Sequence, residues 1–379
     1  MTSRERLMLT LNHNEPDKIP HAIGSVGSNI NIKLYAKLLD YFGINGESIV
    51  CGNKHAQTAA SSEIFLKKLQ CDVRALPGIT KSDWRNKEWE DNDNLYYEDA
   101  WGTVFRMPKS GGFYFDLYKA PRENSFDNLN DVPFELPAPP AAVPGAAENA
   151  KALLKAGYPV IAQSQYGNGF LQTGPGIFGY EDWMMMLGTD DKRCTEFMDK
   201  LLENKIKCWE MIFGTIGEFI DVICEGDDLG TQNGPFIDPA MFKRKLKPYY
   251  AKLFGYIHSK TKAKIYFHSC GSVVKLIPDL IDAGIDILNP VQISAAGMEP
   301  AYLKKEFGKD VVFWGGGIDT QKILPAGTKK QIQDHVKRNM EILGKDGGFV
   351  FCTVHNVQND VPVENFITMW ETLMEMRDY

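Results

Sequence analysis

Two potential metal ligands stand one residue apart in the segment YFHSCG, Tyr266–Gly271. Alternate residues of an extended strand point to the same side, so the imidazole of His268 and the thiol of Cys270 would face one point in space. Nitrogen and sulfur together form a donor set typical of zinc. The alternative is a buried histidine beside a buried thiol, and the spacing alone leaves both interpretations open.

A third ligand could come from the segment FCTVHN near the C-terminus, which holds Cys352 and His355. Cys352 could still lie inside a strand as a small core residue, whereas His355 falls in the following loop, where its side chain is free to turn inward. We therefore expect His355 to be the third ligand, with Cys352 in reserve. Three protein ligands and one open position are the pattern of a catalytic zinc site.

Carboxylates follow two other apolar segments of the chain. Glu225 and Asp228 come after DVIC, and Asp319 follows WGGGI. We expect these three to be catalytic or to orient a metal ligand; the alternative is that they cap turns or face water. The three glycines before Asp319 allow close backbone approach to a ligand, but no Lys-Ser/Thr follows, so this is not a phosphate loop.

Amides and a phenol follow two further apolar segments, and they suit an uncharged polar pocket. These candidate cofactor-binding residues are Asn289, Gln292, Gln163 and Tyr166.

The elements that would position these groups are eight short apolar segments rich in Val, Ile and Phe, as is typical of strands buried on both faces. We predict strands at Ile19–Ile23, Asp72–Leu76, Tyr158–Gln163, Phe219–Cys224, Ala263–Phe267, Ile285–Leu288, Val311–Trp314 and Phe349–Cys352.

Helical patterns separate most of these strands, and the alternation predicts an α/β fold with a parallel sheet. Eight repeats predict closure into a (β/α)₈ TIM barrel, with catalytic groups at the C-terminal ends of the strands. We expect one domain over 1–379. The rival is an open doubly wound sheet, which periodicity alone does not exclude.

An insertion interrupts the rhythm between strands 2 and 3. Residues 84–116 alternate aromatic and polar side chains around the turn Lys109–Gly112, which predicts a β-hairpin. Its aromatic residues could form a lid or docking surface, or only a satellite apolar cluster. The Pro- and Ala-rich stretch 131–150 reads as a long surface connection.

The overall composition limits the class of protein. The chain has 379 residues, 44% of them hydrophobic, and a formal net charge of −7, which argues against a nucleic-acid partner. Seven cysteines without a CxxC pair favour a reducing compartment. The N-terminus lacks a signal-peptide pattern and no segment is long enough to span a membrane, so we expect a cytoplasmic protein with no membrane partner.

The motifs HSCG, NPVQ, WGGGIDT and VHNVQNDVPVEN, with the opening SRERLMLTLNHNEPDKIP, resemble the uroporphyrinogen decarboxylase superfamily over nearly the whole chain. One branch decarboxylates a porphyrinogen without a cofactor. The other comprises zinc-dependent methyltransferases that work with corrinoid proteins. The decarboxylases carry arginines after the first strand to bind substrate carboxylates, whereas this chain has GSVGSNINIKLYAK there, without arginine.

The resemblance therefore favours the methyltransferase branch, whose zinc ligands are an HxC pair after strand five and a thiolate after strand eight. His268 and Cys270 match the pair, and His355 stands where that thiolate aligns. The branch implies Zn²⁺, a corrinoid (cobalamin) on a partner protein, and methyl transfer from a methoxylated aromatic (O-demethylation), an amine or a thiol, or to a thiol- or folate-type acceptor. The alternatives are a metal-free decarboxylase and a non-catalytic corrinoid or tetrapyrrole binder.

Overall fold

The computed structural model describes residues 1–76, 80–81, 86–123, 136, 141–163, 166, 168–189 and 192–379. Within these ranges the strands are β1 (Cys51–Asn53), β2 (Thr58–Ala59), β3 (Thr80–Lys81), β4 (Lys87–Glu90), β5 (Asn94–Glu98), β6 (Val104–Pro108), β7 (Asp116–Lys119), β8 (Ala141–Ala142), β9 (Ile161–Gln163), β10 (Val222–Gly226), β11 (Lys264–His268), β12 (Ile287–Asn289), β13 (Val312–Trp314) and β14 (Phe349–Val350).

The helices in the same ranges are α1 (Ser3–Leu11), α2 (Ile32–Tyr41), α3 (Glu63–Lys68), α4 (Ala146–Lys155), α5 (Thr173–Phe178), α6 (Tyr180–Gly188), α7 (Lys192–Ile216), α8 (Pro239–Met241), α9 (Lys247–Lys260), α10 (Ile277–Ala283), α11 (Pro300–Phe307), α12 (Ile323–Ala326), α13 (Lys329–Gly344) and α14 (Val363–Met376). A π-helical turn, Phe242–Leu246, joins α8 to α9.

Six predicted strands form one parallel sheet in the order of the chain, from β9 to β14. Beyond β14, His21 forms a parallel bridge with Phe351. The amide of Asp72 then donates to the carbonyl of His21 at 3.0 Å. The first two predicted strand segments thus continue the sheet, and the consecutive order has no reversal of the kind that defines a doubly wound sheet.

One face of this sheet encloses a common apolar cluster to which all eight predicted strand segments contribute. Its members include Ala22, Val73, Ile161, Val222, Tyr266, Ile287, Val312 and Val350. The alternate residues of the same strands, such as Ile223 and Phe267, pack against the helices in a second cluster. An interior filled from every strand and surrounded by helices is an arrangement of the TIM-barrel type.

The N-terminal helix closes the end of this cluster opposite to the strand C-termini. Thr2 accepts from the amide of Glu5 and Glu5 returns a hydrogen bond to Thr2, which is a capping box. Leu7 and Leu11, four residues apart on one face of α1, are buried in the interior cluster. The open end therefore lies at the carboxyl ends of the strands.

The insertion is a four-stranded antiparallel sheet, β4-β5-β6-β7, and not the single hairpin that we predicted. Two extra turns come from aspartates: Asp91 accepts from the amides of Asp93 and Asn94, and Asp99 accepts from the amides of Trp101 and Thr103. These turns form because Asp side chains accept hydrogen bonds from backbone amides a few residues further along the chain. A single Asp is a weaker sequence signal for a turn than the glycines at 111–112.

The aromatic residues of the insertion form a separate apolar cluster around Tyr97, Met107 and Phe115. Trp84 and residues 131–135 and 137–140 lie outside the described residues. The last part of the predicted surface connection 131–150 is not irregular, since it contains β8 and the start of α4. Among the described helices, none has the length and apolar character that crossing a bilayer requires.

Candidate functional site

Three of the predicted ligands come together at the open end of the barrel. The ligand atoms of His268, Cys270 and His355 all lie within 4.8 Å of one another. His268 is the last residue of β11, and its Nε2 lies 3.5 Å from Sγ of Cys270. Two imidazoles and one thiol converging on a point are a donor set that suits zinc.

The orientation of His268 is fixed by Asn289, the last residue of β12. The amide nitrogen of Asn289 donates to the carbonyl of Trp314 at 2.7 Å, so its oxygen must face the other way. That oxygen lies 2.6 Å from Nδ1 of His268 and accepts its proton. Nε2 of His268 therefore carries the lone pair, directed to the side of Cys270, as a metal ligand requires.

Cys270 is held by backbone contacts in the loop after β11. Its amide donates to Oδ1 of Asp228 at 2.9 Å, and the next amide, that of Gly271, donates to Oε1 of Gln292 at 2.7 Å. Gly271 has a φ of +86° and packs on Gly230, where a Cβ would meet backbone at 2.4 Å. Only glycine fits this close approach.

Burial and the nearby Asp228 carboxylate raise the pKa of the Cys270 thiol well above its ordinary value. Both effects disfavour the thiolate, and a divalent cation bound between the three ligands would oppose them. Burial and the neighbouring His268 lower the pKa of His355 to about 4. His355 is therefore a neutral imidazole at neutral pH, which is the form that binds metals.

His355 is supported by the insertion. The hydroxyl of Tyr114 lies 2.9 Å from Nδ1 of His355, and Nε2 of Gln358 donates to the same hydroxyl at 2.6 Å. The metal-facing histidines thus each have a partner on Nδ1, one from the barrel and one from the insertion.

His268 and His355 of this trio line a cavity of about 680 Å³ at the barrel mouth. Barrel residues such as Tyr266 and Asp228 form one side, and Tyr97 and Tyr114 of the insertion form another. Among the described residues that line the cavity there is neither lysine nor arginine. This described part of the lining offers no cation to pair with a substrate carboxylate.

Two predicted catalytic residues have carboxylates that bond groups other than the three ligands. Glu225 is buried and lines the cavity, but its carboxylate accepts from Nζ of Lys205 at 2.9 Å and from Nε1 of Trp209 at 2.6 Å, both on α7. Asp319 accepts from the amides of residues 321, 322 and 323 and caps the segment after β13. Asp228 does lie at the site, 3.9 Å from Nε2 of His268.

Of the remaining candidate residues, some contact the site and others lie outside it. Gln163 lines the cavity, and Gln292 supports the Cys270 loop. Tyr166 is buried outside the cavity walls, where it accepts from Asn204 at 2.8 Å. The reserve ligand, Cys352, is buried in the barrel interior, with its thiol 3.3 Å from the carbonyl of Thr353, and does not belong to the trio.

Two residues with clear roles in the site were not predicted. Tyr114 contacts His355 from the insertion, and no local pattern in the sequence links positions 241 residues apart. Asp227 accepts from the amides of Leu171 and Gln172 and from the hydroxyl of Tyr250, so it holds the loop before α5 at the cavity wall. In the sequence, only the position of Asp227 between the candidate acids Glu225 and Asp228 pointed to it.

Comparison with known proteins adds a family and a fold. The family model described as uroporphyrinogen decarboxylase (URO-D) matches residues 169–376, more than half of the chain. A methyltransferase from Methanosarcina mazei aligns over 99% of both chains with a TM-score of 0.59 and 16% identity, which shows a shared fold. No curated protein matches the chain.

Two other solved structures are less similar. A putative vitamin-B12 independent methionine synthase from Listeria monocytogenes is 13% identical, covering 63% of this chain and 70% of that one, with a TM-score of 0.36. The 7,8-dihydropteroate synthase from Vibrio fischeri ES114 is 15% identical, covering 40% and 55%, with a TM-score of 0.27. At these TM-scores neither supports an inference about the chain.

Proposed function

Because the chain belongs to the uroporphyrinogen decarboxylase family, we propose that it is a zinc-dependent methyltransferase, which moves a methyl group between a small methylated substrate and a corrinoid carried by a partner protein. The observation that carries this proposal is the convergence of His268, Cys270 and His355 at the mouth of the barrel. The shared fold with a methyltransferase agrees with it.

The donor set fits zinc in three respects. It supplies three protein ligands of the preferred types and leaves a fourth position for a substrate atom. Asn289 fixes the tautomer of His268, as a partner of a metal-bound histidine should. The cavity beside the trio, at about 680 Å³, has room for a small substrate.

The rival decarboxylase function is disfavoured by the charge of the same cavity. Porphyrinogen carboxylates require cations, and the described lining has no lysine or arginine but contains Asp99, Asp227 and Asp228. A methyl donor or a thiol acceptor makes no such demand.

Each residue of the site has a distinct part in the proposed chemistry. The zinc ion, when bound, acts as a Lewis acid toward a substrate thiol or leaving group. Asn289 and Tyr114 hold the two imidazoles in place. Asp228 fixes the backbone of Cys270, and its negative charge offsets part of the cation's charge. Tyr97 and Tyr114 cover one side of the cavity and limit the access of water.

The first test is metal content. We expect about one zinc ion per purified chain, lost in His268→Ala, Cys270→Ser and His355→Ala but kept in Cys352→Ala, because Cys352 lies in the barrel interior. The exposed Cys51 gives a matched thiol control, Cys51→Ser. With Co²⁺ in place of zinc, a thiolate-to-metal absorption band should vanish in Cys270→Ser. A metal-free protein with full activity would overturn the proposal.

The second test is turnover. Wild-type protein should convert methylcobalamin in the presence of a small thiol, or methylate cob(I)alamin from a methylated donor, and His268→Ala should do neither. Cobalamin binding without turnover in every pairing would instead identify a non-catalytic corrinoid binder. Release of carbon dioxide from a porphyrinogen would identify a decarboxylase.

A further inference from the structure

A smaller side cavity of about 290 Å³ adjoins the cavity beside the metal-ligand trio. The two cavities share five lining residues, which are His55, Asp99, Phe105, Asn168 and Gln172. A molecule in the side cavity would thus lie within reach of the main one, and neither the trio nor the proposed methyl transfer accounts for this space.

Aromatic rings form much of the wall of the side cavity. Trp101, Phe105 and Phe115 come from the insertion, and Tyr180 comes from the start of α6. The face of an aromatic ring carries partial negative charge and attracts organic cations. Tyr180 is largely exposed, which places it at the entrance, whereas Phe115 is buried.

Two carboxylates in the same lining have no counter-cation among the described residues. Asp99 accepts from the amides of Trp101 and Thr103 at 2.8 and 3.0 Å, and no ion pair joins it to lysine or arginine among the described residues. Burial raises the pKa of Asp99. Asp116, at the rim, is likewise without an ion pair in the described part of the chain.

No positive side chain among the described residues neutralises this lining. Burial lowers the pKa of His55, against the opposing effect of the Asp116 carboxylate, and so favours the neutral imidazole. Lys54 lies 6.0 Å from the ring centre of Phe115, but it pairs with Glu88 and does not line the cavity. The side cavity therefore combines aromatic rings with two carboxylates that have no ion pair among the described residues.

We propose that the side cavity binds the organic ammonium group of the substrate, with the ring faces of Trp101 and Phe105 and the carboxylate of Asp99 as its partners. This rests on the proposed function, since it names the substrate class of that same site. An anionic phenolate or carboxylate substrate would meet Asp99 and Asp116 without a compensating cation. An alkylammonium compound gains both ion pairing and cation–π contact.

The test uses two probes of nearly equal shape. Choline carries a quaternary ammonium, and 3,3-dimethyl-1-butanol replaces that nitrogen by carbon. In calorimetric titrations of the purified protein we expect choline to bind roughly tenfold more tightly than the alcohol. Equal binding of the two, or no choline binding, overturns the proposal.

Variants locate the interaction. Asp99→Asn keeps the oxygen that accepts from the two amides but removes the charge, and Trp101→Leu removes a ring; each should weaken choline binding by roughly tenfold. Tyr118→Leu is the control, since Tyr118 is an exposed ring of the same sheet that contacts Arg106 and lines neither cavity. If Asp99→Asn binds choline like wild type, the proposal is wrong.

These titrations need no metal and no turnover, so their result is independent of the zinc site. A protein that binds choline but no zinc would overturn the proposed zinc-dependent methyl transfer and leave the ammonium site standing. The reverse outcome, a zinc-dependent methyltransferase that ignores choline, would overturn the ammonium site alone.

Discussion

The hydroxyl of Tyr114 lies 2.9 Å from Nδ1 of His355, although the two residues are 241 positions apart. Tyr114 belongs to the insertion, whereas His355 follows the last strand of the barrel. The insertion therefore reaches into the proposed metal site, where it does for His355 what Asn289 of the barrel does for His268. A lid that only covered the cavity would not make this contact.

We expect Tyr114→Phe to weaken metal binding by about tenfold, because a partner on the second nitrogen of a metal-bound histidine typically contributes that much. The measurement is a competition titration of Co²⁺ or Zn²⁺ against a chromophoric chelator. Tyr118→Phe, on the exposed part of the same sheet, should leave the affinity unchanged. An unchanged affinity in Tyr114→Phe would show that the contact does not support the ligand.

Asn289→Ala should weaken metal binding by about tenfold to a hundredfold, since His268 loses the acceptor that fixes its ring. It should also lower the free energy of unfolding by about 1–3 kcal/mol, because the buried carbonyl of Trp314 loses its donor. Asn365→Ala removes a similar amide that donates to Leu324, away from the site, and controls for stability alone. Equal metal affinity in the two variants would contradict the role of Asn289.

The sequence was sufficient where strand alternation and strand order decide the outcome. His268 and Cys270 lie two apart at the end of β11, and His355 follows β14 at the same open end of the barrel, where the ligand atoms of all three come together. The same alternation, applied to β10, explains why the carboxylate of Glu225 bonds residues of α7. Val222 and Cys224 face the barrel interior, so the side chain of Glu225 points toward the helices, although the residue also lines the cavity. The acid was chosen for its type without regard to this parity.

The contacts that tertiary packing alone creates could not be predicted. Tyr114 meets His355 because the insertion folds as four strands, and the extra turns depend on Asp91 and Asp99 bonding nearby amides. We expected Asp319 to be catalytic, but its carboxylate caps the adjacent amides, which was the alternative interpretation. Local patterns do not encode either outcome.

The ion pair of Lys205 with Glu225 yields a prediction that separates stability from catalysis. Both side chains are almost fully buried. Lys205→Met leaves a buried carboxylate unpaired and should lower the free energy of unfolding by about 3–5 kcal/mol, measured by urea denaturation. Adding Glu225→Gln removes the charge while keeping an acceptor for Trp209, and should recover roughly half of the loss. The double variant should bind zinc like wild type. If it does not, Glu225 contributes to the metal site.

His21 should make stability depend on acid pH. Complete burial and the nearby Arg377 lower the pKa of His21 to about 3, whereas an unfolded chain titrates near pH 6.5. Between pH 6.5 and pH 3, His21 is therefore protonated in the unfolded state but not in the folded state. The contribution of neutral His21 to stability is fully present above pH 6.5. Below that pH, His21 should lower the free energy of unfolding by about 1.4 kcal/mol per pH unit toward pH 3. His355, with a pKa of about 4, adds a slope of the same sign. In denaturation curves from pH 7 to 4, His21→Gln should therefore reduce the slope by about 1.4 kcal/mol per pH unit, while His258→Gln, at a more exposed imidazole on α9, should leave it unchanged.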